Sequence, residues 1–374
     1  MIVKLKYYAV AAMLLSLCSC REQKQVPIVT PWGEIIDSVA ADNDFDLHQI
    51  QSNGELIMAT LSGPETYYDY RGRHMGTQYM LCQRLASRIG VKLRVDICRD
   101  SAEMQTKLAN GDVDMLAWTR PGDFEVSSEK PLLQEELKKW FRPDMVAEVK
   151  KEESFMLSAR SVKRRVFSPM LDKKGGIISH YDGLFVTYSR SIRWDWRLMA
   201  AQCYQESTFD PKARSWAGAC GLMQIMPSTA DHLGLPRNKM YDPESNIAAA
   251  AKYIGEMDGK LSDIKDQSER INFILASYNG GIHHIRDAMA LAQRDGRNPQ
   301  RWHDVAEYVL KLATPQYYND PVVKYGYMRG SETVDYVTKI RQRHQGYMGV
   351  KTTPVGYHQS QPRKADKRKK KYDV

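Results

Sequence analysis

The stretch QESTFDPKARSWAGACGLMQIMP, residues 205–227, sets an acid, Glu206, at the end of an apolar run and then continues into a glycine-rich segment poor in charge. A carboxyl set against apolar walls tends to keep its proton at neutral pH, which suits a general acid. Gly218 and Gly221 let the following segment pass close to a ligand or helix. Gln224 offers an amide for directional hydrogen bonds, and Met223 and Met226 offer soft apolar surface. Further on, ASYNGG places Tyr278 and Asn279 at a helix end beside glycines, and ETVDYV sets Glu332 and Tyr336 four apart on one helix face. Asp210 is a conceivable second acid, but beside Pro211 it reads as a turn cap. The neighbours His283 and His284 lack spaced cysteine, histidine or acidic partners, so they are predicted to be exposed rather than metal ligands. No metal and no cofactor are expected.

These groups need elements to hold them, and the pattern supplies two kinds. Residues 54–62, 91–98 and 112–118 read as strands, and 75–90 and 101–111 as helices between them, with Ser101 as an N-cap. That βαβαβ order implies a small parallel sheet. The charged stretch 135–154 reads as a helix and 160–176 as a basic connector. From residue 176 the pattern is helical throughout. Asp195 is placed as the N-cap of a helix over 195–207 that ends at Pro211, and further helices are predicted over 243–260, 269–281, 302–313 and 331–347.

The segments QESTFDPKARSWAGACGLMQIMPSTA, ASYNGG and ETVDYV resemble, in order and spacing, family 23 glycoside hydrolases, the lytic transglycosylases that act on bacterial peptidoglycan. The resemblance implies Glu206 as the catalytic acid. Ser215, Gln224, Met226, Tyr278 and Tyr336 match positions that line the glycan groove or orient the acid, and Asn279 joins them as a substrate contact. GELIMAT, GTQYMLCQRLASRIGVKLRV and LANGDVDMLA resemble the first lobe of family 3 periplasmic solute-binding proteins. The fold expected is therefore α+β and multidomain. A small α/β periplasmic-binding-protein-like lobe over 51–175, incomplete because 120–175 is short for a second lobe, precedes an all-α lysozyme-like domain over 176–350. The expected reaction cleaves the bond between MurNAc and GlcNAc to leave 1,6-anhydroMurNAc ends. The alternatives are a lysozyme-like hydrolase and a non-catalytic wall-binding lipoprotein.

The first residues read as export machinery. Lys4 and Lys6 precede a short apolar run, and Leu17-Cys18-Ser19-Cys20 resembles a lipobox, so 1–19 is expected to be a lipoprotein signal peptide and Cys20 the lipidated N-terminus. Residues 20–50 would form a tether and 351–374 a basic disordered tail. The expected place is the cell envelope, with the lipid anchor in the outer membrane facing the periplasm. A formal net charge of +9 favours an anionic partner. The resemblance makes that partner peptidoglycan and not nucleic acid. Export also raises the question of disulfides. Cys203 and Cys220 could bridge, or both could be buried thiols; for Cys82 and Cys98 the sequence leaves the geometry open.

Overall fold

The protein is described here by a computed structural model, which defines residues 46–349 and a short antiparallel pairing of β1 (Ile28–Val29) with β2 (Ile35–Ile36). The expected signal peptide, Cys20, most of the 20–50 tether and the tail 351–374 lie outside the described residues.

The first unit grows from one carboxylate at two helix starts. Asp46 caps α1 (Leu47–Asn53) by accepting from Leu47 N at 2.7 Å. It also accepts from Leu132 N at 2.6 Å and Leu133 N at 3.0 Å, in the first turn of a later helix, tying together segments far apart in sequence. Strand β3 (Glu55–Leu61) follows, then a hairpin of β4 (Tyr68–Tyr70) and β5 (Arg73–Met75), then α2 (Thr77–Arg88), β6 (Lys92–Cys98), α3 (Ser101–Ala109), β7 (Met115–Ala117) and β8 (Phe124–Val126). The sheet order is β6-β3-β7-β8, parallel except for the antiparallel edge strand β8. Both faces of β3 are buried, as a parallel strand requires. Leu56 and Met58 meet Cys82, Leu85 and Leu133, while Ala59 meets Met104 and Leu108. Asp114 accepts from Ile57 N at 2.7 Å and faces Lys130 Nζ at 2.5 Å, a buried ion pair at the foot of the sheet.

Local chemistry corrects several boundaries. Met75 belongs to β5 and not to the helix expected over 75–90, because Gly76, at φ 120°, turns the chain between them. The cap of α3 is Asp100, which accepts from Glu103 N at 2.9 Å, and not Ser101. The charged stretch 135–154 is two helices, α4 (Pro131–Trp140) and α5 (Asp144–Met156), since Pro143 cannot continue a helix from Phe141.

The chain then passes through β9 (Val162–Lys163) into the helical part: α6 (Asp182–Ser189), α7 (Trp196–Ser207), β10 (Arg214–Ser215), α8 (Pro227–Leu233), α9 (Pro243–Lys260), α10 (Gln267–Gly280), α11 (Ile282–Arg294), α12 (Trp302–Lys311), α13 (Pro315–Tyr318) and α14 (Gly330–Tyr347). Helix α7 packs between α6 and α14 in one apolar core that includes Phe185, Leu198, Met199, Phe273 and Ile340. Among the described residues no helix is long and apolar enough to cross a membrane. Cys82, Cys98, Cys203 and Cys220 are buried free thiols, so the open question about bridges resolves against them here.

Candidate active site

Helix α7 carries Glu206 one residue from its end. Asp195 starts the helix, as expected, by accepting from Arg197 N at 2.8 Å. Its stop is not Pro211. Thr208 and Phe209, at φ 53° and 61°, both adopt the left-handed conformation and turn the chain directly after Ser207. Two non-glycine residues held there in succession cost about 1–2 kcal/mol each, and the surrounding core supports them. Phe209 is buried beside Phe185 and Tyr204. Asp210 accepts from Arg165 N at 2.6 Å and Lys212 N at 3.0 Å, a turn-holding role.

The Glu206 carboxyl is surrounded by protein on most sides and opens onto a groove of about 410 Å³. Burial pushes its pKa above the usual carboxylate range, against opposing effects of the Tyr336 hydrogen bond and the charges of Arg71 and Arg164. Tyr336 Oη donates to Glu206 Oε1 at 2.5 Å and in turn accepts from Gln202 Nε2 at 3.3 Å. Tyr336 is 4% exposed, so it lies behind the acid and is not a groove residue, which corrects its placement among the substrate contacts.

The other expected residues meet in the groove. Ser215 Oγ accepts from Ala219 N at 2.9 Å, so its hydroxyl hydrogen is available to donate. Gln224, at φ 48°, donates its amide to Ala213 O and Gly221 O, which leaves the amide oxygen to accept. Tyr278 spends its hydroxyl on Met223 O at 2.7 Å, so its ring is what it offers a ligand. Asn279 Oδ1 accepts from Thr333 Oγ1 at 2.9 Å, turning the amide nitrogen toward other partners. Met226 stands at the start of α8. Gly221 is needed for closeness as well as for its φ of 79°. A Cβ there would lie 2.5 Å from Met240 O and 2.6 Å from Asn246 Nδ2. Asn246, fully buried, accepts from Met223 N and donates to Cys220 O and Met240 O, pinning the loop.

Three groups of site residues were missed by the sequence reading. Asn246 sits in an alanine-rich helix with nothing local to mark its side chain. His284 was expected to be exposed; α11 instead buries it to 6%, and burial pushes its pKa down to about 4, so the ring facing the groove is neutral. The apolar spacing of Ile285, Ala288 and Ala292 on α11 is the signal that could have placed it. The third group comes from the other lobe. Asp69, Arg71, Gly72 and His74, on the β4–β5 hairpin, line the same groove as Glu206. The tip rests on the helical part through Arg73 Nε, which donates to Ala217 O at 3.0 Å, and through Tyr70 Oη, which donates to Glu332 Oε2 at 2.7 Å. No local pattern announces a contact spanning that much sequence.

With this geometry in place, residues 184–301 match the family described as the Transglycosylase SLT domain. The match spans about a third of the chain. The membrane-bound lytic murein transglycosylase F of Shewanella pealeana is 41% identical over 181 residues, covering 48% of this chain and 36% of the relative. The protein of the same name from Citrobacter koseri is 28% identical over 457 residues, covering 90% of this chain and 85% of the relative. Against the Shewanella relatives the chain spans about a third of their length. Among solved structures, the 70 kDa soluble lytic transglycosylase of Escherichia coli is 24% identical with a TM-score of 0.31, covering 45% of this chain and 24% of that one. The SLT domain match begins within α6 and ends just before α12, so it includes Glu206, Gln224 and Tyr278 but not Tyr336.

Proposed function

We propose that this chain is a peptidoglycan lytic transglycosylase in which Glu206 acts first as acid and then as base. The observation that carries the reading is one carboxyl, kept toward its protonated form by burial, held by Tyr336 and opening onto a groove of mainly uncharged polar and aromatic groups. The SLT domain and the names of the relatives support the same substrate class.

Protonated Glu206 donates to the glycosidic oxygen between MurNAc and GlcNAc as the C1–O bond breaks. The carboxylate then takes the proton of the MurNAc 6-hydroxyl, whose oxygen bonds to C1. The proton returns to Glu206, no water is consumed, and a 1,6-anhydro ring closes. A hydroxyl tethered to the reacting sugar has an effective concentration on the order of 10⁵ M or more when well oriented, which favours it over a diffusing water. Ser215, Gln224 and Asn279 would hold sugar hydroxyls and acetamido groups, and Met226 and the Tyr278 ring would cover apolar sugar faces.

The competing reading is a lysozyme-like hydrolase, which needs a second acid to direct water. The groove does contain one, Asp69, but its carboxylate is held at 2.6 Å by His74 Nδ1. Product analysis separates the readings. Borohydride reduces a free MurNAc end and leaves an anhydro end unchanged, and the anhydro product is lighter by one water. Mostly reducible new ends would replace the transglycosylase reading with the hydrolase.

The domain boundary near residue 175, a single lobe in place of a full solute trap, lipid attachment at Cys20 and residence in the outer membrane facing the periplasm belong to the same proposal. The lobe reading is supported by the Citrobacter alignment, which runs over more residues than this chain possesses and so crosses long insertions in the relative. Loss of palmitate labelling in Cys20→Ala tests the anchor. Calorimetry with free amino acids tests the lobe, since one lobe cannot close around a ligand and no micromolar binding is expected.

A further inference from the structure

The β4–β5 hairpin has a two-residue turn, with Tyr70 paired to Arg73 and Arg71-Gly72 between them at φ 48° and 70°. Turns of this type favour Asn-Gly, because both central residues must be left-handed. An arginine in the first position is strained by roughly 1 kcal/mol. The tip is nevertheless inserted into the groove, where a Cβ on Gly72 would lie 3.6 Å from Met226 Cε. A strained residue at a site wall is a reason to ask what its side chain does there.

The charge around Arg71 is unbalanced. Among the described residues its ion-pair partner is Glu332, at a loose 3.9 Å. That carboxylate is already engaged by Arg329 through two nitrogens at 2.9 and 3.1 Å and by Tyr70 Oη at 2.7 Å. Two guanidinium groups therefore share one carboxylate. Asp69 is bound to His74, and the Glu206 carboxyl is engaged by Tyr336. The Arg71 side chain is 40% exposed and lines the groove, so a positive charge faces the ligand. Sugar hydroxyls and acetamido groups give a guanidinium no charged partner. In peptidoglycan the carboxylates are carried by the peptide stems that hang from MurNAc, the sugar cleaved beside Glu206.

We propose that Arg71, presented by the α/β lobe across the groove from the SLT domain, is a specificity residue that binds a stem-peptide carboxylate, so that the complete substrate site is built from both lobes. The inference rests on the transglycosylase reading and deepens it. A guanidinium matches a carboxylate in two-point geometry, which an ammonium at the same place does not.

The test uses the full chain with two substrates, intact sacculi bearing stems and the same sacculi with their stem carboxylates converted to carboxamides by a carbodiimide and ammonia. Arg71→Asn is the chosen variant, because asparagine suits the turn and should leave melting temperature equal or higher. The ratio of kcat/KM for native over amidated sacculi should fall about tenfold in Arg71→Asn, mainly through KM, the size expected for one hydrogen-bonded charge pair. Arg71→Lys should recover part of the ratio. An unchanged ratio, with equal losses on both substrates, would overturn the proposal in favour of an effect on the acid or the hairpin. Faster turnover of both substrates would overturn it in favour of a plug. A wild-type chain that releases nothing from either substrate would instead refute the transglycosylase reading, and this inference with it.

Discussion

Tyr336 donates to Glu206 from beneath, at 2.5 Å, and the two residues belong to helices α14 and α7, 130 positions apart in the chain. The phenol stays protonated because burial and then the neighbouring Glu206 raise its pKa well above the ordinary value. It is thus a permanent donor aimed at an acid that must lose and regain a proton. It stabilises the ionised carboxylate and orients the neutral carboxyl.

Tyr336→Phe removes that donor and leaves the ring. The expected loss in kcat is about tenfold or more, the equivalent of ~1.5 kcal/mol for a hydrogen bond to a charged group. The tyrosine lowers the Glu206 pKa, so the basic limb of the pH–rate profile should move to higher pH in the variant. A fall in kcat with an unmoved basic limb would show that the tyrosine serves the fold and not the acid.

Glu206→Gln should abolish nearly all turnover, by 10² to 10⁴-fold or more on general acid–base grounds. It should also stabilise the fold. Burial raises the carboxyl pKa in the folded chain, so between the ordinary carboxylate value and the raised one the folded state binds more protons than the unfolded state. Stability of the wild type therefore falls as pH rises through that window, and the glutamine variant escapes the fall. Melting curves should coincide at low pH, separate across the window and keep a constant gap above it. A variant that melts lower than wild type at pH 8 would contradict this account.

Gly221→Ala places a Cβ 2.5 Å from a backbone carbonyl in a left-handed turn. Urea unfolding should show a loss of roughly 2–4 kcal/mol, combining the conformational penalty with the displacement of Asn246. Because Met223 and Gln224 hang on the same turn, activity should drop even at temperatures where the variant stays folded. A stability within 0.5 kcal/mol (order of magnitude for a neutral surface change) would mean the turn relaxes freely.

Lys130→Met would leave Asp114 buried without its cation. The expected cost is about 3–5 kcal/mol. Lys130→Met with Asp114→Asn should recover part of it, since the asparagine oxygen can still accept from Ile57 N. Equal destabilisation of the single and double variants in urea would show that the cost lies in packing and not in charge.

Much of this protein was legible locally. Alternation marked β6, helical spacing marked α2, and the Asp195 cap and the glycines around Glu206 follow from short-range chemistry. Glu206, Ser215, Gln224, Met226, Tyr278 and Asn279 could be singled out because each lies in a segment that resembles family 23 glycoside hydrolases in order and spacing. Tertiary structure alone decided that Tyr336 is buried behind the acid while Tyr278 turns its ring to the groove, because both are tyrosines on helices and only packing tells which side faces solvent. It also decided that His284 is a neutral buried ring, and that Arg71, in a stretch between the expected strand 54–62 and helix 75–90, stands in the groove with Glu206. Hydrogen bonds and apolar periodicity act over a few residues and leave a pattern in the chain. Docking one lobe against another depends on shape and charge across surfaces distant in sequence, and single residues such as Tyr70 and Arg73 carry no mark of the partners they will meet.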